Sequence, residues 1–202
     1  MILLHICCAP CGGGCVEKLL AAGEEPRLFF SNSNLESAEF ERRLESVERL
    51  AAIYRLELEA DPCDHAAWLA WNAGLEKEPE HGARCPRCFE FSFRRASQRA
   101  AALGCRFTTT LTVSPRKSTA VLFEVGSRFA NFEAIDFKKG GTYRRSCEIC
   151  REQGFYRQKF CGCPFSEAES EAYRRARAAA ALSGVSELQE PFISHRKNSI
   201  RP

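Results

Sequence analysis

Two hydrophobic periods alternate along the chain. Ile2-Leu-Leu-His-Ile6 and Arg27-Leu-Phe-Phe-Ser31 are apolar runs of strand length. The first stops at Pro10 and Gly12 to Gly14, which read as a glycine-rich turn, with a helix following from about Cys15 to Ala22. Asn32-Ser-Asn34 reads as a turn and Ser37 as a helix cap, because Phe40, Leu44, Val47, Leu50 and Ala51 then share one helical face. Arg55-Leu-Glu-Leu-Glu59 alternates like a half-buried strand, which Asp61-Pro62 ends.

Ala66 to Trp71 reads as a short helix leading into a polar loop that ends at Ala83. Phe89, Phe93, Ala96, Ala100 and Leu103 place a helix over 85–103, with Gly104 as its stop. Arg106 to Leu111 is a Thr-rich strand, and Val121, Leu122, Val125 and Phe129 mark a helix after Ser114-Pro115. Strand and helix alternating in this way predict an α/β fold, a parallel sheet with helices on both faces. The last third reads as helical: Gly140-Gly141 opens a basic helix, Cys161-Gly-Cys163-Pro164 interrupts, and Ser166 caps an Ala-rich helix ending at Gly184. The expected organisation is one domain over 1–184, with an α/β core to 135, a helical part over 136–184 and a basic tail over 185–202.

Composition alters this picture at one point. A chain of 202 residues with 45% hydrophobic and 27% charged residues suits an ordinary globular domain. No apolar run reaches the roughly 18–20 residues of a membrane span. Ile2 to Ile6 is too short for a signal peptide and has no basic region before it, so a cytoplasmic protein is expected. In a reducing compartment, twelve cysteines point to metal or redox chemistry rather than disulfides.

The cysteines fall into groups. Cys7-Cys8 and Cys11 follow the first strand, Cys85-Pro-Arg-Cys88 opens a helix, and Cys147-Glu-Ile-Cys150 lies inside one. Cys161-Gly-Cys163 is the fourth group, and Cys15, Cys63 and Cys105 stand apart and read as packing. A C-x-x-C at a helix N-terminus brings two thiols to one ion or cluster, where free N–H groups and the helix dipole favour thiolate. Cys7 and Cys8 are the natural suppliers of two more, at the carboxyl end of a parallel strand where such folds build sites. A Cys7, Cys8, Cys85, Cys88 set suits zinc or a [4Fe–4S] cluster, and vicinal cysteines favour the cluster because structural zinc pairs usually have two to four residues between them. Cys161 and Cys163 form either a strained, readily reducible disulfide or a ligand pair for a second metal. Cys147 and Cys150 share one helix face, with packing as their simplest role.

Net charge is only +3, so distribution matters more than the total. Lys138, Lys139, Arg144, Arg145 and the tail at Arg196-Lys197 are candidate phosphate contacts. Arg116-Lys117 is placed to face a substrate at the sheet's carboxyl edge. Arg174 to Arg177 reads as a solvated helix face.

Five stretches in order resemble the cobalamin-independent epoxyqueuosine reductases, an iron–sulfur family of tRNA queuosine biosynthesis. They are Cys7-Cys-Ala-Pro-Cys11, Gly82-Ala-Arg-Cys85-Pro-Arg-Cys88-Phe, Phe107-Thr-Thr-Thr-Leu-Thr-Val-Ser-Pro115, Asp136-Phe-Lys-Lys-Gly-Gly141 and Tyr156-Arg-Gln-Lys-Phe-Cys-Gly-Cys163. The resemblance implies a Rossmann-like sheet, related to the adenine nucleotide alpha hydrolase (HUP) folds, with cysteines in place of a phosphate loop. It implies that Cys7, Cys8, Cys85 and Cys88 hold a [4Fe–4S] cluster, and that no cobalamin is needed. Cys161 and Cys163 are implied to be a redox pair or, with Asp64 and Cys11, ligands of an additional mononuclear iron. Asn32-Ser-Asn-Leu35, Cys63, Cys147 and Cys150 depart from the family pattern.

The implied reaction removes the epoxide oxygen from epoxyqueuosine in a tRNA anticodon loop, with electrons from an external donor. Asp64 or a thiol of the Cys161–Cys163 pair would supply a proton or anchor the metal. Two other readings fit the residues: a zinc-stabilised RNA-binding protein without catalysis, and a metal-free thiol–disulfide oxidoreductase. A nucleotide-binding ligase is the weakest reading, since no phosphate loop of the Ser-Gly-Gly type follows the first strand.

Overall fold

Ile2, Leu4 and Ile6 of the first strand pack on one side of a sheet, and Leu3 on the other, as the strand period of two requires. The computed structural model describes residues 1–183. Its four strands, β1 (Ile2–Ile6), β2 (Pro26–Phe30), β3 (Leu58–Ala60) and β4 (Arg106–Thr109), form one parallel sheet in the order β3-β2-β1-β4. The helices are α1 (Ala9–Ala21), α2 (Ser37–Tyr54), α3 (His65–Trp71), α4 (Arg84–Ala102), α5 (Thr119–Gly126), α6 (Thr142–Glu152) and α7 (Pro164–Ser183). Val16 and Leu19 of α1, Val47 and Leu50 of α2 and Ile149 of α6 cover one face of the sheet. Phe93, Ala96 and Ala100 of α4 and Leu122 and Val125 of α5 cover the other, around Phe29 and Phe107. The Rossmann-like α/β architecture with helices on both faces is therefore present.

The order of the strands places the site. From β1 the chain winds outward through β2 to β3, then returns to lay β4 on β1's other side. In open parallel sheets a crevice opens past the carboxyl ends of the strands where the winding reverses, here between β1 and β4. Cys7 and Cys8 leave β1 at that point, and Thr110 leaves β4 beside them.

Several boundaries differ from those expected. Helix α1 starts at Ala9, not near Cys15, so Gly12 to Gly14 are helical rather than a turn. Pro10 is tolerated in the first turn, where its missing N–H has no intrahelical acceptor. The glycines give up helix propensity so that neighbours can come close. A Cβ on Gly12 would lie 2.4 Å from Ile6 Cδ1, and one on Gly14 would lie 2.5 Å from the Thr142 carbonyl of α6. The Gly14 N–H donates to Ser146 Oγ across the same contact, at 3.0 Å.

Strand β3 spans only Leu58–Ala60, because α2 runs on to Tyr54 and Arg55 caps it in the left-handed region. Strand β4 ends at Thr109, and a 3₁₀ turn over Thr110–Val113 carries on where a longer strand was expected. Phe129 lies beyond α5, which ends at Gly126. Helix α7 begins at Pro164, so Ser166 sits inside its first turn, where its Oγ accepts from Gly162 N at 3.3 Å. The expected helix end at Gly184 and the tail bearing Arg196-Lys197 lie outside the described residues.

Candidate thiol-lined active site

Two helices begin at cysteine pairs and face the crevice. Cys8 is the extended residue capping α1, and Cys85 and Cys88 lie at the start of α4. The sulfurs of Cys7, Cys8 and Cys11 lie within 4.8 Å of one another, the Cys7 and Cys8 sulfurs 3.7 Å apart. Cys11, left open by the sequence, thus joins the β1 pair, one turn into α1. Cys85 and Cys88 do not belong to that tight trio. Cys85 packs against the same apolar cluster as Cys7 and Cys8, and Cys88 shares a cavity wall with Cys7 and Cys11. This cavity of about 230 Å³ is also walled by Cys161, Lys117 and Gln158.

The direction of each sulfur's hydrogen bond divides the cysteines. Cys7 Sγ accepts from Thr110 Oγ1 at 3.6 Å, and Cys8 Sγ from Gln158 Nε2 at 3.0 Å. Cys85 Sγ accepts from the His81 N–H at 3.2 Å, and Cys88 Sγ from Trp68 Nε1 at 3.4 Å. His81 adopts φ 76°, an unusual conformation outside glycine, to aim that N–H. Cys161 Sγ accepts from Lys117 Nζ at 3.0 Å and Cys163 Sγ from the Ser166 N–H at 3.4 Å. By contrast, Cys15, Cys63 and Cys150 donate, to the carbonyls of Cys11, Leu35 and Phe155. A thiol that donates holds its proton; a sulfur surrounded by donors is prepared for the thiolate a metal or a redox step requires.

The electrostatics single out Cys8, while burial pushes Cys7, Cys85, Cys88 and Cys163 up. Hydrogen bonds from Cys11 and Cys7, with the Arg43 guanidinium nearby, hold Cys8 well below the usual thiol range. At Cys7 the bond from Cys11 acts downward, but Cys8 and burial outweigh it and push the thiol up to about 11. Burial, then the sulfur of Cys161, pushes Cys85 up to about 11. Burial alone would lower Lys117, and the facing Cys161 sulfur more than offsets it, so its ammonium titrates above the ordinary lysine range. Arg43 is 2% exposed, paired with Glu39 at 2.7 Å, and its Nη1 donates to the Cys161 carbonyl at 3.0 Å. Between the paired cysteines, Gly162 has φ 138° and no room for a Cβ, which would lie 2.4 Å from Leu35 Cδ2.

Other candidates fall elsewhere. The Asp64 carboxylate caps α3, accepting from the Ala67 N–H at 3.0 Å, and does not line the cavity. Cys147 and Cys150 diverge: Cys147 lines the cavity while Cys150 is buried in the core. Cys63, read as packing, is exposed. Arg145 pairs with Glu17 of α1 at 2.8 Å, and the Lys138 ammonium donates to the Lys117 carbonyl, so both have structural partners. Sequence reasoning gave no role to Arg43 and Gln158 and read Lys117 as facing substrate, not as a partner of Cys161. Gln158 lies within a matching stretch and Lys117 just beyond one, while Arg43, inside α2, carried no such signal.

Fold and site together define a thiol-rich α/β protein with its reactive groups at the sheet's topological switch point. Comparison with known proteins narrows the class. The family described as "Epoxyqueuosine reductase QueH" matches residues 2–169. The chain is 34% identical over 179 residues to a protein of that name from Streptococcus pyogenes, covering 82% of this chain and 69% of that one. It is 33% identical over 181 residues to that from Acinetobacter baylyi, covering 86% and 83%. It is 31% identical over 178 residues to that from Thermotoga maritima, covering 82% and 89%. The chain belongs to the epoxyqueuosine reductase QueH family, a family of oxidoreductases. No helix among the described residues is long and apolar enough to cross a membrane.

Proposed function

We propose that the chain reduces epoxyqueuosine to queuosine at the wobble position of tRNA, the last step of queuosine biosynthesis. The observation that carries this reading is the cavity past the carboxyl end of β1, walled by Cys7, Cys11, Cys88 and Cys161 in a member of a reductase family. Breaking the epoxide's two C–O bonds to leave an alkene takes two electrons and two protons, and the oxygen departs as water.

Cys7, Cys8, Cys85 and Cys88 would hold a [4Fe–4S] cluster, a donor set supported by soft sulfur and by the hydrogen bond each accepts. When bound, such a cluster supplies electrons one at a time. Cys161 and Cys163 serve as a redox pair relaying electrons from an external donor, or would hold an additional mononuclear iron with Asp64 and Cys11. Of this set, Cys11 and Cys161 share the cavity wall, while Asp64 caps α3 outside it. Lys117 keeps a proton on Nζ against Cys161 Sγ, where it stabilises negative charge on that sulfur. Arg43 fixes the Cys161 carbonyl and sets a buried positive charge near Cys8.

The target base reaches the cavity by leaving the anticodon loop, whose single-stranded nucleotides permit extrusion. Arg116 of the cavity wall and exposed Arg144 are the phosphate contacts this reading favours, so binding weakens steeply with salt. The test is mass analysis of nucleosides after incubating reduced, anaerobic protein with epoxyqueuosine-bearing tRNA. Loss of one oxygen from the modified base is expected, and its absence overturns the reading.

A further inference from the structure

Five large apolar side chains stand exposed among the described residues: Met1, Leu20, Ile53, Leu69 and Tyr143. Single exposures of this kind are ordinary on a protein surface. Tyr143 differs in kind and in place, being the one aromatic side chain of the five and the one that lines the thiol-walled cavity. It lies in the first turn of α6 and is 39% exposed.

Its surroundings are basic. Among the described residues the cavity wall carries the cations Arg43, Arg116, Lys117 and Arg157 against the single carboxylate of Glu80. Arg43 is held by Glu39 and Lys117 by Cys161, whereas Arg116 and Arg157 are exposed. Arg157 acts electrostatically on Tyr143, and Arg144, next to it on α6, is exposed as well. An exposed ring among exposed cations is what single-stranded nucleic acid meets on its binding proteins: the ring stacks on a base, and the cations follow the backbone.

Extrusion creates the need for such a ring. A base drawn out of a loop leaves its neighbour uncovered on one side, and the lost stacking counts against binding. We infer that Tyr143 takes the place of the extruded base, its ring stacking on the nucleobase next to the wobble nucleotide while Arg157 meets the phosphate between them. The inference rests on the proposed function, which supplies the extruded base, and adds the recognition of its neighbour. Every base has a π-face, so this contact holds the loop in place without reading its sequence.

The test measures binding of epoxyqueuosine-bearing anticodon stem-loop RNA, intact or abasic at either neighbour of the wobble nucleotide, to anaerobically reconstituted protein. Tyr143→Ala binds the intact RNA about tenfold more weakly than the parent, while Tyr143→Phe and Tyr143→Trp, which keep a ring, stay within about twofold. The parent loses about tenfold on one of the two abasic RNAs, and Tyr143→Ala loses little more on that RNA, since ring and base form one contact. The salt dependence of Tyr143→Ala matches the parent's, whereas Arg157→Gln lowers the slope by about one. Tyr143→Ala binding as tightly as the parent, abasic losses equal in the two proteins, or an unchanged slope in Arg157→Gln overturns the inference and leaves the function standing. If the parent does not bind the epoxyqueuosine-bearing stem-loop at all, the proposed function fails with it.

Discussion

Lys117 Nζ lies 3.0 Å from Cys161 Sγ, and the same ammonium sits over the Phe89 ring, 5.5 Å from its centroid. A half-buried lysine is thereby held between a sulfur and an aromatic face, both of which favour its charged form. Replacing it with methionine keeps the stem's packing and removes the charge. Lys117→Met should lower the rate of epoxyqueuosine conversion roughly 100-fold, the scale of losing one positioned proton-bearing group. Iron and labile sulfide content should be unchanged. Equal rates in both proteins would remove Lys117 from the chemistry.

Arg43 is a second buried cation, and its loss should appear as stability. Glu39, 9% exposed, pairs with Arg43 and accepts from Tyr156 Oη at 2.8 Å. Arg43→Ala leaves that carboxylate buried beside a single neutral donor, at a cost of about 3–5 kcal/mol. The double variant Glu39→Gln/Arg43→Gln should recover part of the loss. Urea unfolding of the three proteins measures the difference, and a cost below about 1 kcal/mol in Arg43→Ala would show that the pair is not effectively desolvated.

Gly14→Ala sets two magnitudes against each other. Alanine gains about 1 kcal/mol in helix propensity. The added methyl would lie 2.5 Å from the Thr142 carbonyl and 2.6 Å from Ser146 Oγ, and a backbone oxygen cannot swing aside. Overpacking of this kind costs about 1–3 kcal/mol, so net destabilisation and an altered α1–α6 contact are expected. A raised melting temperature would mean that the helices separate more freely than their packing implies.

The sheet and its helices were legible because they depend on local period: β1, β2, α2 and α4 fall near where their apolar positions put them. The start of α1 was not legible. Consecutive glycines read as a turn until α6 is brought against them, and Gly14 bonds a serine 132 positions away. The site was legible in its cysteines and not in its partners. Lys117 meets Cys161 across 44 residues, Arg43 across 118, and Gln158 meets Cys8 across 150. Cys11 and Cys15 lie on one helical stretch, yet one joins the sulfur trio and the other donates back to its carbonyl, a division that no spacing rule reveals.

The ion pair joining α1 to α6 makes stability depend on acid. The Arg145 guanidinium beside Glu17 holds that carboxyl below its usual range. A lowered folded-state pKa means the contribution is complete above the unfolded value of about 4.3 and fades as pH falls through the folded value. The pair is partly exposed and screened by solvent, so its contribution is small. Glu17→Gln should melt slightly below the parent at pH 7, and the gap should close as pH falls below about 4. A gap that persists in acid would assign the effect to packing.

The proposed convergence of the β1 and α4 thiols on one cluster is tested most directly by counting metal. Anaerobically reconstituted protein should carry about four iron and four labile sulfide per chain, with broad brown absorbance. Cys88→Ser should lose both, and Cys15→Ser, whose thiol only donates to the Cys11 carbonyl, should keep them. A colourless protein binding one zinc, or a Cys88→Ser protein with its full complement of iron and sulfide, would contradict the account.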